Sequence, residues 1–203
     1  MKNSYKSYLL GCMMTMSVLG GCAGGAGASD DGLKGNGEIL ESESQTGEDS
    51  AAEGDEASAQ VVFEGQDLEG NAVSSDIFSG KKLTMVNVWA TYCNPCLSEM
   101  PGLGELAGEY DSGDFQIIGI VSDVQEGAGE EGVELAAYLA RETGADYPHL
   151  LLNESLYYGL LSDVSAVPTT FFIDGEGNIL DTVVGAQDKA GWKEKIDGFL
   201  EEE

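Results

Sequence analysis

Cys93-Asn94-Pro95-Cys96 is the densest chemical signal in this chain. A thiolate is the nucleophile of sulfur exchange, and a second thiol one helical turn on can attack the mixed disulfide that the first one forms. The run Leu83-Thr84-Met85-Val86-Asn87-Val88-Trp89 before the pair is almost continuously apolar and reads as a buried central strand. A helix is expected to open around Cys93, bend at Pro101 and continue to Tyr110. The first thiol then lies at a helix N-terminus, where free backbone N–H groups and the helix dipole favour its ionised form. Pro95 lacks an N–H and fits the first turn of such a helix.

The remaining cysteines belong to a different kind of segment. Lys2 and Lys6 precede a weakly apolar run from Tyr8 to Leu19, which is short against the roughly 20 residues of a membrane span. The run ends in Leu19-Gly20-Gly21-Cys22, which resembles the bacterial lipobox, where small residues precede a cysteine that is acylated and becomes the new N-terminus. Residues 1–22 are therefore expected to be a lipoprotein signal peptide, with Cys22 as a lipid anchor to the bacterial cell membrane; a plain secretory signal or an uncleaved anchor is the alternative. Cys12 then leaves with the signal and Cys22 is taken by lipid, so Cys93 and Cys96 remain as one pair in an export compartment where disulfides persist. A loop this small is a poor structural staple, which points the pair to redox chemistry.

The elements that must position this pair follow from pattern. Residues 23–59 are Gly, Ala, Ser, Asp and Glu with few larger apolar side chains, which predicts a disordered tether because too little surface can be buried to offset ordering entropy. The folded domain is expected over residues 60–203. Val61-Val62-Phe63 suggests a strand leading to a hairpin at Glu69-Gly70-Asn71, and Phe115–Val121 another buried strand. Glu130–Glu142 carries apolar residues at helical spacing, and a short helix is expected over Ser155–Leu161. Thr169–Ile173 and Ile179–Val184 read as strands joined through Asp174-Gly175-Glu176-Gly177-Asn178, and Asp188 as the cap of a last helix running to about Leu200. His149, after Tyr147-Pro148, is expected in a loop or at the surface, and Trp192 is expected to pack on the closing helix.

Charge narrows the partners. The 203 residues carry 37 Asp+Glu against 9 Lys+Arg, a net charge of -28, which repels nucleic acid and anionic head groups; neither is expected as a partner.

The stretch from Trp89 to Cys96 is similar to the active-site motif of thioredoxin-fold proteins, and within them to the membrane-tethered TlpA/ResA-like group. Pro101, Val167-Pro168-Thr169-Thr170-Phe171 and the Asp174–Asn178 hairpin match as well, so the resemblance covers the whole expected domain. It implies an α/β thioredoxin-like fold, with a mixed central sheet, helices on both faces and an N-terminal β-hairpin extension. It implies that Cys93 attacks and Cys96 resolves. It further implies that Pro168 is cis, packs on the disulfide and blocks metal capture, while Val167 pairs backbone to backbone with an extended client. Trp89 and Tyr92 complete the expected client-binding set, Trp89 from beneath the site.

Thioredoxins carry a buried Asp six residues before the first cysteine, where this chain has Asn87. The tethered group instead has a Glu three residues after the second cysteine, and Glu99 stands there. Three residues is nearly one helical turn, so Glu99 and Cys96 share a face. A buried Glu99 would have a raised pKa and could take the Cys96 proton; an ordinary solvated glutamate is the alternative.

By the same resemblance the protein reduces disulfides in exported proteins such as apocytochrome c or methionine sulfoxide reductases. Its electrons would come from a membrane thiol transporter. A disulfide-forming oxidase is the alternative direction, and a lipoprotein that binds a partner or copper without turnover the alternative class. No cofactor is expected beyond the redox-active Cys93–Cys96 disulfide, and a monomer is expected. A zinc site lacks a second cysteine pair, with His149 the sole histidine. A peroxiredoxin would need Pro and Thr where Val86 and Ala90 stand, and Gly102–Gly108 lacks the third glycine of a nucleotide loop.

Overall fold

The computed structural model describes residues 60–201; Cys22, the signal-like segment 1–22 and the tether 23–59 lie outside the described residues. Five strands form one mixed sheet in the order β5-β4-β3-β6-β7. β3 (Leu83–Trp89) is central and buried at all seven positions. It pairs parallel with β4 (Phe115–Gln125) and antiparallel with β6 (Thr169–Asp174), which continues into β7 (Ile179–Val184). β5 (His149–Leu152) adds parallel to β4. Burial on both faces explains why β3 reads as an unbroken apolar run.

One face of the sheet packs Val61, Phe63, Phe78 and the residues Leu156, Leu160 and Leu161, which come from the short helix α3 (Glu154–Leu156) and the π-turn after it. The other face carries α1 (Asn94–Ala107), α2 (Glu130–Glu142) and α4 (Lys189–Glu201). The expected arrangement of helices on both faces is thus present. α2 has the expected bounds, and Asp188 accepts from Gly191 N–H at 2.8 Å, the expected cap of α4. α1 runs through Pro101 but stops at Ala107, short of Tyr110, where Gly108 turns its N–H back onto Glu105. A side chain at Gly104 would strike the backbone carbonyl of Gly144, so this glycine serves close packing of α1 against the loop after α2.

The hairpin extension is also present, with its turn at Glu69-Gly70-Asn71 as expected and its first strand beginning at Glu64 rather than Val61. β1 (Glu64–Gln66) pairs antiparallel with β2 (Ala72–Ser74), while Val61 and Phe63 are core residues ahead of the strand. Its loop, Asp67–Asn71, uses the same five-residue device as Asp174–Asn178 between β6 and β7. In each, the Asp Oδ1 accepts two backbone N–H groups, its Oδ2 accepts the Asn side-chain amide, and the glycine has a positive φ, 82° at Gly70 and 88° at Gly177. Both loops read Asp-x-Glu-Gly-Asn because the Asx turn needs the acid first and left-handed backbone fourth.

β5 departs from expectation. His149 is no surface residue: it opens an edge strand and is 3% exposed. Four residues behind a proline carry too little periodicity to announce a strand.

Candidate active site

The Cys93–Cys96 pair is closed as a disulfide at the start of α1. Cys93 occupies the N-cap position, and its Sγ accepts the Cys96 backbone N–H at 3.2 Å. That bond and the helix N-terminus favour negative charge on Cys93 once the disulfide opens. Cys93 is 6% exposed and Cys96 fully buried, so Cys93 is the more accessible sulfur of the pair.

The loop that delivers Cys93 is fastened from β4. Thr91 donates through N–H and Oγ1 to the two carboxylate oxygens of Asp123, at 3.0 and 2.6 Å. Tyr92, 73% exposed, projects beside the pair. Opposite, the Val167–Pro168 bond is cis, and the Val167 carbonyl oxygen lies 3.7 Å from Cys93 Sγ. Gly185 N–H donates to the Pro168 carbonyl at 2.8 Å and ties the end of β7 to this segment. The structure thus brings Cys93, Cys96, Tyr92, Val167 and Pro168 together.

Trp89 requires a correction. It is fully buried, and its indole N–H donates to His149 Nδ1 at 3.1 Å, so it presents no surface to a client. As the last residue of β3 its side chain points into the helix-covered core, where it packs in the same cluster as the cysteines.

Glu99 is buried, as a proton acceptor would require. Oε1 accepts from Asn87 Nδ2 at 2.9 Å; Oε2 accepts from the Gln187 backbone N–H at 3.1 Å and from Trp192 Nε1 at 3.2 Å. Burial raises its pKa above the usual carboxylate value, and the bonds from Asn87, Gln187 and Trp192 oppose that shift. Asn87 also donates to Thr170 Oγ1 at 3.1 Å, while its own Oδ1 is buried without a partner. Nearby, the Tyr147 hydroxyl is likewise buried and unpartnered, and its pKa is raised by burial first and then by the charge of Glu99.

Sequence reasoning missed this supporting layer. Tyr147 and His149 come from the approach to β5 and its first residue, Gln187 and Trp192 from the approach to α4 and its first turn, and no local pattern marks either pair as part of the site. Among the described residues no group of three or more His, Cys, Asp or Glu side chains could hold a metal ion, and no helix is long and apolar enough to cross a membrane.

Residues 54–182 match the model of the AhpC/TSA family. The chain is 30% identical over 135 residues to thiol-disulfide oxidoreductase ResA of Bacillus cereus, covering 66% of this chain and 70% of that one. It is 27% identical over 139 residues to the protein of the same name from Bacillus subtilis, covering 68% and 71%. Among solved structures, a thiol:disulfide interchange protein of the thioredoxin family from Chlorobium tepidum superimposes with a TM-score of 0.61 at 26% identity, over 72% of this chain and 99% of that one.

Proposed function

Because the chain belongs to the AhpC/TSA family and is a thiol–disulfide oxidoreductase with a thioredoxin-like fold, we propose that it reduces disulfides of exported proteins from a lipid anchor on the outer side of the cell membrane. The observation that carries the reading is the asymmetry of the pair: one reachable sulfur at a helix N-terminus, one buried sulfur, and a buried carboxylate a turn further on.

In the reduced enzyme the Cys93 thiolate attacks a client disulfide. A Cys93–client bond forms, and the client's other sulfur leaves as a thiolate that takes a proton from water. Cys96 then passes its thiol proton to Glu99 and attacks Cys93 Sγ. The Cys93–Cys96 bond closes and the second client sulfur departs. Two electrons have moved to the client, and a membrane thiol transporter would restore them. Apocytochrome c and methionine sulfoxide reductases are the client types this reading favours, with the Val167 backbone and Tyr92 holding the extended segment around the scissile disulfide.

Direction is tested by the reduction potential of the Cys93–Cys96 couple. A reductant is expected near the thioredoxin value of about -270 mV; a value near about -120 mV would make it an oxidase. Anchorage rests on Cys22, at the end of the lipobox-like Leu19-Gly20-Gly21-Cys22. Cys22→Ala is expected to move the protein from the membrane fraction to the soluble fraction or to stall its processing. A mature, signal-cleaved variant that still pellets with membranes would remove the lipoprotein reading.

A further inference from the structure

The single histidine of the chain lies beneath the redox pair, with both ring nitrogens engaged. Trp89 Nε1–H points at His149 Nδ1 at 3.1 Å, and His149 Nε2 lies 3.0 Å from the Ala145 carbonyl oxygen. An indole nitrogen can only donate and a carbonyl can only accept. The ring is therefore neutral, with its proton on Nε2 and a bare lone pair on Nδ1. No other protonation state satisfies both contacts.

The seat for this ring is built by the fold. Gly119 of β4 lies beside His149 in register, and a Cβ there would fall on the imidazole. The missing side chain lets the ring reach across β4 to Trp89 on β3. Tyr147 covers its other side with ring centroids 4.7 Å apart. The His149 carbonyl takes the Leu68 N–H from the β1–β2 hairpin loop at 2.9 Å.

Trp89 is the last residue of β3 before the loop that carries Cys93, and it packs in one cluster with Cys93, Cys96 and Val167. Its backbone is held by Ser122 Oγ, which donates to the Trp89 carbonyl at 3.0 Å; its side chain is held by His149. We propose that His149, as the neutral Nε2–H imidazole, is the positioning residue of the redox pair: it fixes the Trp89 ring that packs in one core cluster with Cys93 and Cys96. It touches no client and no reacting atom. It acts through Trp89.

Protonation would place an Nδ1–H against the indole N–H and break the bond. Burial holds the His149 pKa below its usual value, partly offset by the bond to Ala145, so the neutral state is maintained at neutral pH. Glu69 of the hairpin loop, Arg141 of α2, and Asp146 and Tyr147 of the preceding loop line the same cavity of about 500 Å³. These are the ionisable groups that share the cavity with the ring, and the redox thiols lie in the cluster of Trp89, to which the ring is bonded.

The test uses the whole protein, an insulin-reduction assay and the amide and indole NMR signals. His149→Phe fills the ring volume but leaves the buried indole N–H without an acceptor, and turnover is expected to fall about tenfold. His149→Gln offers an oxygen acceptor and an N–H donor without a titrating ring, and is expected to stay within about threefold of wild type. In the wild type, the Trp89 indole signal is expected to move with the midpoint of His149 as pH is lowered, and to stay still in His149→Gln. Wild-type turnover in folded His149→Phe, or a Trp89 signal that is fixed while His149 titrates, would overturn the proposal. If His149→Phe does not fold, the wild-type titration decides alone.

Discussion

Cys96→Ser is expected to accumulate mixed disulfides with a client, whereas Cys93→Ser accumulates none and loses turnover by on the order of a thousandfold or more. The two sulfurs differ in reach. Cys93 is the partly exposed one, capped by the Cys96 N–H and facing the Val167 carbonyl, whereas Cys96 is enclosed. With Cys96 removed, the first attack proceeds and nothing resolves the adduct. With Cys93 removed, the remaining thiol is buried and has no N–H of the helix entrance to favour its thiolate. Non-reducing gels and mass spectrometry of each variant after exposure to insulin read the outcome directly. Adducts on the Cys93→Ser protein would reverse the assignment.

Glu99→Gln is expected to slow the resolving step by about a hundredfold, the lower range for loss of a general base, while the first attack is little changed. The substitution suits the site. A glutamine oxygen can keep the bonds from Gln187 and Trp192, and its amide can donate to Asn87 Oδ1 once the Asn87 side chain turns over, which shifts the one buried unpartnered group of Asn87 from Oδ1 to Nδ2. Thr170 Oγ1 can then donate where it now accepts.

The same variant carries a stability signature. The folded-state pKa of Glu99 is raised, so its contribution is most favourable below the unfolded value of 4.5 and is lost as pH rises through the folded pKa. At neutral pH the buried charge therefore costs stability. Glu99→Gln should melt higher than wild type at pH 7, with the difference shrinking as pH falls towards 4.5. Single-turnover resolution rates and melting curves across pH check both parts. Equal rates would leave the Cys96 proton to another acceptor.

Much of this site was legible because its signals are local. Cys93, Pro95, Cys96 and Glu99 sit within one helical start, and two Asp-x-Glu-Gly-Asn loops declare their hairpins within five residues each. Helix α2 announces itself by spacing alone, from Glu130 to Glu142. The rest depends on distant pairings. Glu99 receives its donors from positions 87, 187 and 192, which only the closed sheet and the docking of α4 bring together. Trp89 reads as an aromatic beneath the site, but the acceptor of its indole N–H is a histidine that only β5 supplies. A histidine after Tyr-Pro has no pattern of its own, and its role arises from register across three strands.

That register has an evolutionary consequence. Because a Cβ at position 119 would occupy the volume of the imidazole at 149, the two positions cannot drift independently. A lineage that gains alanine or a larger residue at 119 must first give up the histidine at 149. It must then find another acceptor for the Trp89 indole or exchange the tryptophan. Descendants of this sequence should therefore change at 89, 119 and 149 as a set, each tolerated substitution waiting on the others, while the cysteines above them stay constant.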